Sequence, residues 1–362
     1  MHADIAIVGG GVASAAAVLA LRAIDRSIIV VAPAAGTDEI IGESLSPSAN
    51  PILKELGIWD DFLSQEHRHS AVNFSAWGSQ QLVQRDFSNH PSGVGWSLDR
   101  RRFEDFLWDM ASQIKHIRLY TKLRTVKKAA EGWKLTTGDG TAIDARFVID
   151  CSGRTCKIAR RLTDRQSDQK MVSAFSFLDQ VDTGIEATRA VMIEARPNGW
   201  WYSALTPSNR LVICFFSDAA LLPPNLRRDT EVWETLVKSA PYTWRRVTTA
   251  GFEVAGVPDI MDAGSRYLTC FANAEKSWAA AGDAAAVFDP LSSHGLTTAL
   301  WSGRKAALAA NAALDNDHQP IHQYVEALTE GVNHYRQELK TFYWREHRFP
   351  NEPFWRDRQK GP

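Results

Sequence analysis

A chain of 362 residues exceeds the usual domain of about 100–200 residues, so two lobes are expected. With 44% hydrophobic and 23% charged residues it can bury a large core, which excludes a disordered chain. A formal net charge of −1 supplies no overall field to recruit nucleic acid or an anionic membrane surface.

The first predicted element is a strand, Asp4–Val8, whose apolar run Ile5-Ala6-Ile7-Val8 fits a central parallel strand covered on both faces. It begins without the basic segment and cleavage site of a signal peptide, and the longest apolar stretch, Val12 to Ala23, is too short to span a bilayer. A cytoplasmic protein with no membrane contact is the resulting expectation. Gly9-Gly10-Gly11 follows, then an alanine-rich helix to about Ile24 and a second strand, Ser27–Val31: a βαβ start within about 30 residues. In Gly9-x-Gly11-x-x-Ser14 the first glycine permits a tight turn and the second lets backbone approach a pyrophosphate. The third position needs a small residue for helix–strand packing, and Ser14 meets that need. Val12 and Ala13 open the helix whose positive end would face the phosphate. The acid that should end the second strand and bind the adenosine ribose is missing. Ala32-Pro33 stands there, and Asp38 and Glu39 come only later.

A Gly, Ser and Pro-rich loop from Pro33 to Pro51 carries Gly42-Glu43-Ser44. Short helices are predicted around Asn50–Leu56 and Ile58–Glu66, a strand pair at Val72–Trp77 and Gln81–Arg85, and a helix over Arg101–Ile114. Leu119–Ala129, Gly132–Thr137 and Thr141–Val148 read as a β-meander, and the last leads to Asp150-Cys151-Ser152-Gly153. From Met171 to about Tyr267 strand-like runs dominate, with one helix near Thr230–Ser239. A buried strand then returns at Trp278–Ala281, and helices run from Gly295 through Arg345. The expected fold is α/β: a Rossmann-like dinucleotide domain (1–170 and 268–320) with an inserted, mainly antiparallel sheet lobe (171–267) and a C-terminal helical, aromatic–basic segment (321–362). Cys151, Cys156, Cys214 and Cys270 lack CxxC or Cys/His metal spacing, so free thiols and no metal site are expected. The thirteen tryptophans fit either core packing or an aromatic-lined cleft.

The far end decides which dinucleotide. Ala281-Gly282-Asp283-Ala284-Ala285 follows a buried strand, and Asp289-Pro290-Leu291-Ser292-Ser293-His294-Gly295-Leu296 leads into a helix. Together with Asp150-x-x-Gly153 and Leu98-Asp99-Arg100, these segments resemble the FAD-dependent aromatic hydroxylase superfamily. The resemblance implies FAD as cofactor, with Asp283 on the ribityl chain and the helix start at Pro290, Gly295 and Leu296 facing the isoalloxazine. The guanidinium fork of Arg100 suits the pyrophosphate.

Gly42-Glu43-Ser44, Gly199-Trp200-Trp201 and the Asp-Pro-Leu-Ser-Ser loop narrow this to a resemblance to the tryptophan-halogenase-like flavin monooxygenases, over about residues 4–355. His69 stands where those halogenases carry their catalytic lysine, and Tyr202 replaces the second Trp of their Trp-x-Trp signature, so halogenation lacks its ammonium relay. The Gly-Trp-Trp-Tyr-Ser segment and the run Tyr343–Pro350 with Phe354-Trp355-Arg356 look like the flavoprotein maturases of glycine- and lysine-oxidase quinoproteins. That resemblance implies an FAD-dependent monooxygenase using a flavin C4a-hydroperoxide to oxygenate an electron-rich ring: a tryptophan of a quinoprotein oxidase precursor during cysteine tryptophylquinone maturation. A small aromatic metabolite as substrate and a non-catalytic assembly factor stay open as alternatives. His294 and His69 are the candidate proton-handling residues, and Trp200, Trp201 and Tyr202 the candidate substrate cleft. The aromatic–basic tail either recognises a protein substrate or packs on the body. No second glycine fingerprint is present, so the reductant is NAD(P)H bound transiently or a separate flavin reductase.

Overall fold

The computed structural model describes residues 1–34, 36, 40–86, 88–168 and 170–359; Asp38 and Glu39 lie outside the described residues. Two sheets organise them. The first runs in the order Ala272–Asn273, Trp278–Ala280, Ala142–Asp150, His2–Val8, Ile28–Ala32, Ile117–Tyr120. All neighbours are parallel except the first pair. Its central strands are apolar and sealed: Ile5, Ala6 and Ile7 have no exposed surface, as a strand covered on both faces requires. The helix Val12–Ala20 covers one face, and the helix Gly295–Leu314 lies against it so closely that a Cβ on Gly303 would sit 2.2 Å from the Ala13 carbonyl oxygen. Alanine and glycine on both helices make that approach possible.

Register brings the functional segments to one edge. Val8 is paired with Asp150, and Asp150 with Ala280, so the residues that leave these three strands, Gly9, Cys151 and Ala281, emerge side by side. In open α/β sheets this carboxyl edge is where ligands bind. The predicted meander divides at Thr121. Ile117–Tyr120 joins the parallel sheet beside the second strand, while Leu123–Lys128 and Trp133–Thr137 continue as antiparallel ribbons.

The second sheet has seven strands: Asp259–Asp262, Val172–Leu178, Leu211–Ser217, Gly199–Leu205, Val191–Arg196, Val72–Ala76, Val83–Asp86. The hairpin at 72–86 therefore joins the lobe, with Val72–Ala76 lying parallel to Val191–Arg196. One face carries a separate apolar cluster, in which Trp201, Phe215, Trp233, Val237 and Val247 pack under the helices Thr230–Lys238 and Pro241–Thr249. The second of those helices was not expected. Its first turn is capped from a distance: the buried Glu194 carboxylate accepts from Thr243 N at 2.8 Å and Thr243 Oγ1 at 2.9 Å.

The C-terminal segment packs on the body. Tyr343, Phe354 and Trp355 are sealed, and the Trp355 indole donates to the Arg196 carbonyl at 2.8 Å. The Trp77 indole donates to the Phe342 carbonyl at 2.8 Å. Of this aromatic run, Phe342 and Trp344 stay exposed. Among the described residues, no helix is long and apolar enough to cross a membrane.

Candidate functional site

The glycine turn divides its labour as spacing demands. Gly9 has φ +133°, and a Cβ there would lie 1.9 Å from the Cys151 carbonyl oxygen, so only glycine passes this close to the neighbouring strand end. Gly11 instead fronts open space, and the helix Val12–Ala20 starts directly behind it. Val12 and Ala13 line the cavity that begins here. Ser14 is fully buried and off that lining, as a packing position requires, and Gly9 is off the lining too.

The cavity has a volume of about 380 Å³ and runs between the carboxyl edge of the parallel sheet and the lobe sheet. Gly42, Glu43, Ser44, Arg100, Gly153, Gly282, Asp283, Pro290, Gly295 and Leu296 all line it, and so do Trp200, Tyr202 and His294. Gly42, Gly153 and Gly295 have no atom within 4 Å of where a Cβ would stand. The Asp283 carboxyl is enclosed; burial raises its pKa while Arg154, Arg100 and Arg165 pull against that rise. Arg100 donates to Glu104 Oε1 at 2.5 Å and Arg154 to the Gly264 carbonyl at 3.2 Å, and the Nε of each is buried without a hydrogen-bond partner. Asp150 serves the turn itself: it accepts from Ser152 N and Oγ and from the Ile158 and Ala159 amides, at 2.6–3.0 Å.

Across the cavity, the loop before Gly295 is pinned from the C-terminal segment. The buried Asp289 carboxylate accepts from Leu291 N and from the Tyr343 hydroxyl, both at 2.9 Å, and its amide donates to the Tyr335 hydroxyl at 2.6 Å. Ser46 and Thr297 hydroxyls meet at 2.9 Å, tying the Gly42–Ser44 loop to the following helix. His294 stands at the rim; crowding by neighbouring protein atoms lowers its pKa, as does His334, with Glu338 opposing.

The lobe wall holds residues that sequence motifs did not single out. Tyr202 donates from its hydroxyl to the buried Glu43 carboxylate, whose other oxygen accepts from Gly42 N at 3.1 Å. Burial, and then the Glu43 charge, push the Tyr202 hydroxyl well above its usual pKa, and the same two causes raise the Cys214 thiol. Phe216 stacks on Trp200 with centroids 4.1 Å apart. Cys214, Phe216 and Ser173 all face the cavity, alongside the missed Arg154. Alternation along Val172–Leu178 and Leu211–Ser217 was the signal available, but both faces of this sheet are buried and apolar, which hides it.

Besides Gly9 and Ser14, two expected residues do not line the cavity. Trp201 points to the opposite face of its strand, where it packs on Phe215 and Trp233, so the expected cleft loses its middle member because successive strand side chains alternate. His69 lies on the exposed strand Arg68–Ser70, edge-on to Trp96 at 4.6 Å, and is not among the cavity-lining residues.

The family model described as tryptophan halogenase matches residues 83–207. A putative FAD-dependent oxidoreductase of Marinomonas mediterranea, LodB, is 24% identical over 98% of this chain and 96% of its own length. A menaquinone reductase of Mycobacterium tuberculosis is 27% identical over 84% of this chain and 76% of its own. Among solved structures, the flavin-dependent halogenase CmlS superposes with a TM-score of 0.88 at 22% identity, covering 100% of this chain and 68% of that one. The peptidyl tryptophan dihydroxylase QhpG, essential for tryptophylquinone cofactor biogenesis, gives 0.73 at 21% identity, over 99% of this chain and 79% of its own. The expected halogenase-like resemblance and the Rossmann-type fold with an antiparallel lobe are thereby met. The residues present also fit the FAD this fold implies. Open glycines at 11, 42 and 153 leave room for a ligand against backbone, the Arg100 and Arg154 Nε groups lack hydrogen-bond partners, and the Asp283 side chain lines the same cavity.

Proposed function

We propose that this chain is an FAD-dependent monooxygenase that hydroxylates an electron-rich aromatic ring, and that its substrate is a tryptophan of a quinoprotein precursor. One observation carries the reading. The cavity joins a dinucleotide cradle on the parallel sheet to an aromatic wall on the lobe, in a chain similar along nearly its whole length to a peptidyl tryptophan dihydroxylase.

Bound FAD would supply the activation of O₂ for transfer of one oxygen atom to the ring. The chain's own residues do the rest. Gly11, with the helix start at Val12 and Ala13, takes the pyrophosphate, helped by Arg100 and Arg154. Asp283 accepts from the ribityl hydroxyls. Gly42, Ser44, Gly153 and Gly282 give the ligand close access to backbone. Pro290, Gly295 and Leu296 set the positive end of the 20-residue helix toward the cavity, where negative charge on the ring system is favoured. Trp200, Phe216 and Tyr202 position the substrate ring and exclude water. Tyr202 keeps its proton and donates it in a hydrogen bond to Glu43 inside the cavity, and His294 at the rim can exchange one with solvent.

The test is intact-mass and peptide mass spectrometry of a candidate quinoprotein precursor co-expressed with this chain. Added oxygen on a defined tryptophan supports the proposal. An unmodified precursor that needs the chain only to assemble would replace it with a non-catalytic assembly role, and a hydroxylated free aromatic metabolite would move the substrate to a small molecule. Chlorinated or brominated tryptophan with halide present would overturn the reading based on the missing lysine.

A further inference from the structure

The corner left without its acid holds a cation. Ala32, where the ribose-binding acid of a dinucleotide site ends the second strand, is fully buried. Beside it runs the strand Ile117–Tyr120, with Arg118 opposite Val30 and Tyr120 opposite Ala32. The Arg118 side chain reaches the glycine turn. Its Nη2 lies 3.8 Å from where a Cβ on Gly10 would stand, and the Ala32 Cβ lies 3.0 Å from that same point.

The guanidinium is held there. Its carbon sits 3.7 Å from the Trp108 ring centroid and 5.0 Å from that of Tyr120. Trp108 is itself fixed, donating its indole N–H to the Gly10 carbonyl at 2.7 Å. The platform is thus bolted to the same turn that approaches the pyrophosphate. Among the described residues Arg118 has no hydrogen bond and no ion pair, and its Nε is buried. Partial burial disfavours its charged form, and the Asp105 carboxylate, too far away for an ion pair, opposes that only in part. An ordered, half-desolvated cation with no carboxylate in direct contact is costly unless a ligand supplies negative charge or acceptor oxygens.

We infer that Arg118 is the adenosine anchor of this site, a donor to ribose and phosphate oxygens in place of the acceptor carboxylate lost at Ala32. The inference rests on the FAD reading and adds a consequence to it. An acid at this corner repels a 2′-phosphate; a guanidinium attracts one. The corner therefore admits adenine nucleotides with or without a 2′-phosphate.

The experiment uses the full chain freed of flavin, with FAD, FMN, ADP and 2′,5′-ADP titrated by calorimetry into the wild type, Arg118→Met and Arg118→Lys. The wild type binds 2′,5′-ADP at least as tightly as ADP. Arg118→Met weakens FAD and both adenine nucleotides by about tenfold or more, most for 2′,5′-ADP, and leaves FMN unchanged. Arg118→Lys, which keeps the charge but not the flat stack on Trp108, falls between. Unchanged FAD and ADP affinities in Arg118→Met would overturn the inference, and so would FAD and FMN weakening in step, since that signals general distortion. A wild type that binds neither FAD nor FMN would sink the flavin reading instead, and the ADP comparison would still decide Arg118.

Discussion

The Tyr343 hydroxyl donates to Asp289 at 2.9 Å while its oxygen accepts from the Trp200 indole at 3.2 Å, so one residue of the C-terminal helix joins the flavin-side loop to the aromatic wall. Tyr343→Phe leaves the Trp200 N–H and one Asp289 lone pair unpaired in a sealed interior. It should cost about 1–3 kcal/mol of stability, read as a lower midpoint in urea denaturation. An unchanged midpoint would mean the bond contributes nothing.

Asp283 sets stability against binding. Its carboxyl, buried, takes up a proton at higher pH in the folded chain than the ordinary 3.8. The flavin-free fold therefore loses stability as pH rises from that value through the raised one. Asp283→Asn removes this cost, so the flavin-free variant has a higher urea midpoint than the wild type at pH 7, and the advantage closes below the ordinary value. The same change should weaken FAD by about tenfold in a fluorescence titration.

Gly9 and Gly11 are predicted to fail differently. Gly9→Ala collides with the Cys151 carbonyl at a φ that disfavours any side chain, and should prevent accumulation of folded protein. Gly11→Ala enters open space, so circular dichroism and thermal melting stay near wild type, within about 0.5 kcal/mol. Its added methyl stands where backbone must meet pyrophosphate, and bound FAD is lost.

Neighbouring residues on one strand should separate packing from site. Trp201→Ala empties the far-side cluster and costs about 3–5 kcal/mol, while the protein that remains folded binds FAD as before. Tyr202→Phe keeps the ring but removes the hydroxyl that donates to Glu43. Oxygen incorporation into substrate should then drop about 100-fold or more at full FAD occupancy, measured by mass spectrometry and absorbance.

The cradle was legible because its signals are local. Gly9-x-Gly11, Gly282-Asp283 and the loop to Gly295 each sit where a buried strand ends; strand register gathers the first two, and the Tyr335 and Tyr343 hydroxyls hold the third beside them. The lobe was less so. Glycine 199 to Leu205 is buried on both faces, so nothing in its sequence says that Trp200 and Tyr202 face the cavity while Trp201 turns away. The helix Pro241–Thr249 takes its cap from Glu194, nearly fifty residues earlier, beyond any local pattern. Arg118 was hidden for the same reason: it acts next to Ala32 only because their strands pair.

The parallel pairing of Val72–Ala76 with Val191–Glu194 also bears on how the protein is born. The early hairpin leaves the ribosome more than a hundred residues before its partner strand, a wait of order ten seconds at about 5–20 residues per second. Through that interval an unpaired strand edge is open to whatever else is nearby. Synthesis, rather than the finished fold, is then the stage at which this enzyme is most exposed to aggregation, and a chaperone's benefit should be read in yield, not in activity per folded molecule.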